Sequence, residues 1–391
     1  VTNLKKTLLF DFQLNLFFYY VFVFIMLPYL PGAWALVPPV PNIQASSYIL
    51  IDANTGKVIA EYQADVKNPP ASLTKIMTSY LVEKQIKQGV ISNDDQVPIS
   101  VKAWKAEGSK MFIREGTKVL LSDLMRGVVI QSGNDASIAL AEFVAGDESS
   151  FAQMMNAQAD ELGMVNSSFM NATGLPDDDH YSSARDLAIL TVDLIRKYPE
   201  HYELYSERSF KFNNIEQPNR NRLLRYDRSV DGVKTGYTKA AGYCLIASAE
   251  RGDMRLISVV MGAESDDARV RESQKLLTYG FRNFETISVY KANEVLRRAP
   301  LYYGEEESIS LGINGALSIT LARGVYENLE AEMKVPAAIE APISKGAIVG
   351  ELVLKNEGEI LYKTSIVSLE EYKEGSFFGR LSDYFELLFS D

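Results

Sequence analysis

The stretch Pro69-Pro70-Ala71-Ser72-Leu73-Thr74-Lys75-Ile76-Met77-Thr78-Ser79-Tyr80-Leu81 opens a helix and sets a serine and a lysine three residues apart at its start. Pro69 and Pro70 cannot continue a helix from upstream. Leu73, Ile76, Met77, Tyr80 and Leu81 recur at helical spacing, so the pattern predicts a helix with Ser72 in its first turn. Side chains at i and i+3 share a helix face. Lys75 is therefore expected beside the Ser72 hydroxyl, and the free N–H groups of the first turn favour negative charge at the seryl oxygen. A hydroxyl is a weak nucleophile without a base, and a lysine serves as that base only when burial or a second cation destabilises its ammonium. Taken alone, Ser-x-x-Lys also reads as a capping serine with a solvated lysine, and the rest of the chain decides between the two.

At 391 residues, 47% hydrophobic and 23% charged, the chain is globular and long enough for two domains, each with its own core. A net charge of −11 with a pI near 5.0 argues against nucleic acid as a partner. Cys244 is the single cysteine and His180 and His201 the two histidines. No intramolecular disulfide is possible, no ligand spacing for structural zinc exists, and no metal or other cofactor is expected. Cys244 lies in an apolar run and reads as a core residue. With so few histidines, lysine is the better-placed base for an activated serine.

Upstream, residues 1–35 read as an export signal. Lys5 and Lys6 supply positive charge, Leu14 to Leu27 an apolar run, and Ala33-Trp34-Ala35 a small-x-small cleavage site. The competing reading is an uncleaved anchor, although the run is shorter than the roughly 20 residues a spanning helix needs. Tyr48 to Asp52 and Lys57 to Tyr62 flank Asn54-Thr55-Gly56 and predict a hairpin.

Downstream, residues 86–164 read as mostly helical, with Leu121 to Val129 and Ala136 to Val144 the clearest periodic segments. Ser132-Gly133-Asn134 lies between them as a turn, a place where a second hydroxyl and an amide can be held toward a cleft. Asn171 to Arg185 is a polar loop, with His180 as a hydrogen-bonding brace, followed by a helix from Asp186 to Ile195. From Val230 the period becomes that of strands: Asp231 to Thr238, Tyr243 to Ala249 and Leu256 to Met261. With the first hairpin they make five, expected as one antiparallel sheet with helices packed on it, closed by an amphipathic helix over Ser265 to Phe284. Beyond Val289, short β-prone runs separated by Gly or Pro predict a small all-β domain. Phe377, Phe378, Leu381, Tyr384, Phe385, Leu388 and Phe389 share one face of a terminal amphipathic helix, which either packs on the protein or lies in a membrane interface. The division expected is 1–35 signal, 36–286 catalytic domain, 287–368 all-β domain and 369–391 anchor.

Ser72-x-x-Lys75, Ser132-Gly133-Asn134 and Lys234-Thr235-Gly236 occur in that order on a helix start, an interhelical turn and a strand. The set resembles the active site of penicillin-recognising serine acyl-enzymes. Gln131 to Ala136, Asn171 to Leu175, His180-Tyr181-Ser182, Asp231 to Thr238 and Glu374 to Gly379 extend the likeness to the D-alanyl-D-alanine carboxypeptidases, the low-molecular-mass penicillin-binding proteins with a C-terminal membrane anchor. The resemblance implies an α+β fold: a transpeptidase-like domain with a five-stranded antiparallel sheet and helices on both faces, then a small all-β domain and an amphipathic helix. It implies that Ser72 attacks the penultimate D-alanine carbonyl, Lys75 takes its proton, Ser132 relays a proton to the leaving D-alanine, and Asn134 orients Lys75 and the substrate. Lys234 and Thr235 would hold the terminal carboxylate, supported by Arg220. Gly236 would admit the substrate backbone at the strand edge, and the N–H groups of Ser72 and Tyr237 would form the oxyanion hole. The resemblance further implies peptidoglycan pentapeptide as substrate, β-lactams as covalent inhibitors, and a place at the periplasmic face of the bacterial inner membrane. Position 237 is often histidine in such relatives and is tyrosine here. A β-lactamase and a non-catalytic penicillin-sensing protein are the alternatives. The commonest lactamase class uses Ser-Asp-Asn and a deacylating glutamate, whereas this chain has Gly133 in the motif and no glutamate in the loop from Asn171 to Arg185.

Overall fold

The structure is a computed structural model that describes residues 37–389; the expected export signal lies outside the described residues. Strands β1 (Ser47–Asp52) and β2 (Val58–Tyr62) form the first hairpin, with Leu50 opposite Ala60. Asp52 Oδ1 fixes the turn by accepting from the N–H groups of Asn54 and Thr55 (2.7 and 3.0 Å).

The Ala71–Thr74 segment is a tight 3₁₀ turn that runs into the Lys75–Lys87 helix, so Ser72 sits immediately before the α-helix proper. An amphipathic stripe would leave one face of this helix in solvent. Instead every residue from Lys75 to Glu83 is buried, because the helix runs through the centre of the fold. Its polar side chains are satisfied there: Thr78 Oγ1 donates to Ala172 O (2.7 Å), Ser79 Oγ pairs with the Tyr205 hydroxyl (2.6 Å), and the Tyr80 hydroxyl donates to Asp193 (2.6 Å).

Segment 86–164 is largely helical, as expected, with helix at Val101–Lys105, Leu121–Arg126, Asn134–Ala145 and Glu148–Glu161. The short strands β3 (Gln96–Pro98) and β4 (Lys118–Leu120), which pair across the first of these, were not foreseen. Three-residue strands are too short for alternation to show in a sequence. A second small hairpin, β5 (Ser209–Phe212) with β6 (Ile215–Pro218), follows the Ala184–Lys197 helix.

Strands β7 (Val230–Thr238), β8 (Gly242–Arg251) and β9 (Met254–Ala263) complete the main sheet, in the antiparallel order β2-β1-β9-β8-β7. Strand alternation sends its side chains to two cores. Ile49, Ile51, Ile246, Ile257, Val259 and Met261 face the large helical core, whereas Leu50 and Leu256 pack over Gly280 of the Asp266–Asn283 helix on the opposite face. Strand β7 is left as a free edge beside the Ser72 turn.

The C-terminal part is all-β. Strand β10 (Phe284–Tyr290) follows the helix directly and pairs with β13 (Leu317–Ala322). Strands β11 (Arg297–Tyr302), β12 (Ser308–Gly312), β14 (Leu329–Lys334), β15 (Ile339–Glu340), β16 (Ile348–Asn356) and β17 (Glu359–Ser368) form a sheet in the order β14-β16-β17-β12-β11-β15. Ile309, Leu311, Leu352, Leu354 and Ile366 fill its core. Hydroxyls join this part to the first hairpin: Thr286 donates to Asp52, and Thr320 pairs with Thr286 (3.1 Å) and Thr55 (2.5 Å). The Phe377–Phe389 helix closes the chain, tied to the β domain through Asp383, which accepts from Tyr303 N–H (2.6 Å). The α+β architecture is the one expected from the sequence.

Candidate active site

The Ser72 turn places the hydroxyl 3.0 Å from the Lys75 amine, the i,i+3 contact that the spacing predicts. Lys75 is fully buried and has two further partners, Asn134 Oδ1 at 2.7 Å and Thr173 O at 2.6 Å. Both are oxygens that only accept, whereas a serine hydroxyl can donate or accept. A neutral amine has two hydrogens and one lone pair. With the hydrogens directed at Asn134 and Thr173, the lone pair faces the Ser72 hydroxyl, which is the geometry for taking its proton.

Asn134 starts the Asn134–Ala145 helix, and its orientation is fixed from behind because Nδ2 donates to Glu107 O (2.6 Å). Ser132, just before it, has a left-handed backbone (φ 66°), and its buried hydroxyl oxygen has no hydrogen-bond partner among the described residues. Buried hydroxyls are rarely left unpaired, so this one is a group held ready for a partner. Asp135 holds the segment in front of the turn: its buried carboxylate accepts from the N–H groups of Met111 (3.0 Å), Phe112 (2.9 Å) and Ile113 (3.3 Å).

The Thr173 carbonyl is set by the Asn171 loop. Asn171 Oδ1 accepts from the backbone N–H groups of Thr173, Gly174 and Leu175 (3.1, 2.8 and 3.2 Å) and from the Thr173 hydroxyl (2.8 Å). Gly174 (φ 80°) lies so close to the nucleophile's turn that a Cβ there would stand 1.8 Å from Ala71 O. His180 braces the same region. Its Nδ1 accepts from Met170 N–H (3.2 Å), so Nε2 carries the hydrogen and donates to Thr74 Oγ1 (2.8 Å). Burial holds the imidazole neutral, with its pKa pulled down to about 4.

Lys234, Thr235, Gly236 and Tyr237 lie in succession on β7. Lys234 and Thr235 are buried, and the Lys234 amine donates to Thr235 O (3.1 Å). Among the described residues Lys234 has no acidic partner. The missing Cβ of Gly236 makes room for the nucleophile's turn: a Cβ would meet Pro70 O at 3.0 Å and Ala71 Cβ at 3.3 Å, so this glycine serves the packing of strand against turn. The Tyr237 side chain is 54% exposed and stacks on Tyr243 at 4.3 Å between ring centroids. Arg220 reaches in from the other side, its Nε donating to Gln131 O (3.3 Å).

Burial is the main reason the Lys75 amine is brought down to about 7 from its ordinary 10.5; Asp135 opposes the shift, Arg220 adds to it, and Glu148 opposes it. Lys234 lies well below its ordinary value, by burial first and then by the charges of Lys75, Arg220 and Arg269. Burial thus leads the downward shift of both lysines; Lys75 and Lys234 repel each other, and Arg220 adds its charge against each.

A family model for D-alanyl-D-alanine carboxypeptidase matches residues 35–265, and one for the penicillin-binding protein 5 C-terminal domain matches residues 284–374. The chain belongs to the D-alanyl-D-alanine carboxypeptidase family. Similar proteins include D-alanyl-D-alanine carboxypeptidase DacA of Escherichia coli (strain K12), 44% identical over 363 residues that cover 90% of each chain. DacF of Bacillus subtilis (strain 168) is 39% identical, over 85% of this chain and 87% of its own. The crystal structure of penicillin binding protein 5 from Haemophilus influenzae aligns with a TM-score of 0.82 and 42% identity, covering 86% of this chain and all of that one.

Within this family frame, two contributors to the site escaped the sequence. The Thr173 carbonyl is a backbone group and has no residue signature; the Asn-x-Thr-Gly stretch that shapes its loop is the signal that could have pointed to it. Asp135 was visible only as a neighbour of Asn134, and nothing in its spacing announced that it anchors Met111 to Ile113. Among the described residues, no group of three or more His, Cys, Asp or Glu side chains is placed to hold a metal ion.

Proposed function

We propose that the protein is a serine carboxypeptidase that removes the terminal D-alanine from peptidoglycan stems ending in D-Ala-D-Ala, through an acyl-enzyme on Ser72. The observation that carries this reading is the hydrogen-bond set of Lys75, in which two acceptors take both hydrogens and leave the lone pair for the Ser72 proton. As Ser72 Oγ bonds to the carbonyl carbon, the N–H groups of Ser72 and Tyr237 stabilise the oxyanion, a donor there being worth about 3 kcal/mol. Ser132, whose buried hydroxyl has no partner among the described residues, passes a proton to the departing amine. Lys234 and Thr235 receive the terminal carboxylate, with Arg220 in support, and the arriving negative charge favours the charged form of Lys234. Water then cleaves the ester. Incubation with a pentapeptide ending in D-Ala-D-Ala is expected to release one D-alanine per stem, and benzylpenicillin to leave a persistent adduct on Ser72 by mass spectrometry. Absence of D-alanine release would defeat the reading, and fast penicillin turnover without an adduct would favour a β-lactamase.

The state of Lys75 predicts the pH dependence. The free enzyme takes the Ser72 proton only when Lys75 is neutral, and its pKa is about 7. The second-order rate of acylation by benzylpenicillin is therefore expected to rise with pH along a limb centred near 7. Stability moves in the same direction: between about 7 and 10.5 the unfolded chain binds a proton that folded Lys75 does not, so the penalty of burying Lys75 is relieved and the fold gains stability as pH rises through that window. A flat acylation profile from pH 6 to 9 would exclude Lys75 as the base.

Export and attachment complete the reading. Residues 1–35 serve as the export signal, and the terminal helix lies in the outer face of the cytoplasmic membrane. No described helix is long and apolar enough to cross a membrane. The Phe377–Phe389 helix instead exposes Phe377, Phe378, Leu381, Tyr384, Phe385 and Leu388, with Phe378 80% accessible. Such a face buried in an interface supplies binding through apolar area alone, since the nearby charges are largely acidic. Deleting residues 376–391 is expected to move the mature protein from the membrane pellet to the soluble fraction; unchanged partitioning would remove the anchor.

A further inference from the structure

A groove of about 720 Å³ lies against the exposed Tyr237 end of strand β7. Gln131, Arg220 and Tyr237 line it, and each adjoins the reacting groups: Gln131 precedes Ser132, Tyr237 follows Gly236, and the charge of Arg220 acts on both Lys75 and Lys234. The wall beyond them carries Arg222, Arg225 and Arg269, giving four guanidinium groups in all against the carboxylates of Glu216 and Asp266. This is a local excess of positive charge on a chain of net charge −11. Asp266 is already engaged by Arg222 (3.0 Å) and Arg269, Asp267 just outside the groove also pairs with Arg222 (2.5 Å), and Glu216 accepts from Ser209 Oγ (2.5 Å), so the excess is about one positive charge. Arg225 is exposed and has no acidic partner among the described residues. The methyl side chain of D-alanine fills little of such a space.

We propose that this groove is a leaving-group subsite, which accepts D-amino acids bearing a carboxylate on the side chain in place of the terminal D-alanine, and that Arg225 sets the sign of charge preferred there. The inference rests on the carboxypeptidase reading, which puts the α-carboxylate of the leaving residue at Lys234 and Thr235 and so gives its side chain the groove as an outlet. The chemistry is unchanged. Ser72 Oγ bonds to the carbonyl carbon, the C–N bond breaks, the leaving nitrogen takes the relayed proton, and a free acidic D-amino acid departs. The attraction is between partly solvated charges, so it is modest and weakens with salt.

The test uses three stem peptides identical except at the last residue, ending in D-Ala-D-Ala, D-Ala-D-Glu and D-Ala-D-Lys, with kcat/KM measured for the wild type, Arg225→Glu and Arg225→Gln. The wild type is expected to favour D-Glu over D-Lys by roughly tenfold at low salt, Arg225→Gln to narrow that ratio, and Arg225→Glu to bring it to one or below, all with D-alanine release from the first peptide unchanged. Equal D-Glu and D-Lys rates in the wild type would overturn the inference and leave the carboxypeptidase reading standing. A ratio that neither variant alters would overturn the role of Arg225. Failure of the wild type to release any of the three residues would overturn the carboxypeptidase reading and this inference together. Should Arg225→Glu lose D-alanine release, Arg225→Gln decides.

Discussion

Replacing Lys75 by methionine is expected to slow acylation of Ser72 by benzylpenicillin about 10²–10⁴-fold, the range a positioned general base contributes. Methionine is unbranched and apolar and fills the volume of the lysine stem in a site that is fully buried. The substitution strands the Asn134 and Thr173 oxygens without a donor, at about 1–3 kcal/mol each. It also removes an amine that burial disfavours, so the melting temperature should change far less than the rate. Arginine at the same position tests protonation separately from size. A guanidinium stays charged, so Lys75→Arg should be as slow as Lys75→Met despite keeping a positive group. A rate within tenfold of wild type in either variant, with the fold intact, would mean that another group takes the Ser72 proton.

Gly174→Ala should damage both stability and chemistry, and Gly163→Ala supplies its control. Both glycines have left-handed backbones, φ 80° and 72°. Around Gly163 nothing lies within 4 Å of where a Cβ would stand, so its alanine variant meets only the conformational cost of about 1–2 kcal/mol. At Gly174 the added methyl would stand 1.8 Å from Ala71 O and 2.9 Å from Thr74 Oγ1. Either the loop retreats and withdraws the Thr173 carbonyl from Lys75, or the turn carrying Ser72 shifts. Overpacking of this kind costs roughly a further 1–3 kcal/mol. Chemical denaturation should rank Gly174→Ala below Gly163→Ala, and only Gly174→Ala should lose acylation rate while still folded. Equal losses in the two variants would show that the close approach of loop and turn is unimportant.

The parts of the site legible in the sequence are those built from local geometry. Ser72 and Lys75 meet because a helix start brings i and i+3 together, and the Lys234-Thr235-Gly236-Tyr237 run could be placed on a strand because the flanking apolar pattern has period two. Long-range assembly was readable only through the family likeness: Asn134 and Thr173 reach Lys75 across 59 and 98 residues of chain. The structure also gives Gly236 a reason that the sequence did not, since the Ser72 turn occupies the space its side chain would need. Strands β3 and β4 were missed because three residues cannot display a period; of the stretch between them, Met111 to Ile113 is held by the Asp135 carboxylate as well as by the burial of Met111 and Ile113.

The threonine junction between the C-terminal sheet and the main one sits at Asp52 and Thr55, on the β1–β2 turn, while the nucleophile lies beside β7 at the other margin of a five-strand sheet. The C-terminal module thus grips the catalytic body on the side remote from its working edge, like a pedestal under a tool head. A change confined to that module is therefore expected to leave the hydrogen bonds of Lys75 to Ser72, Asn134 and Thr173 in place.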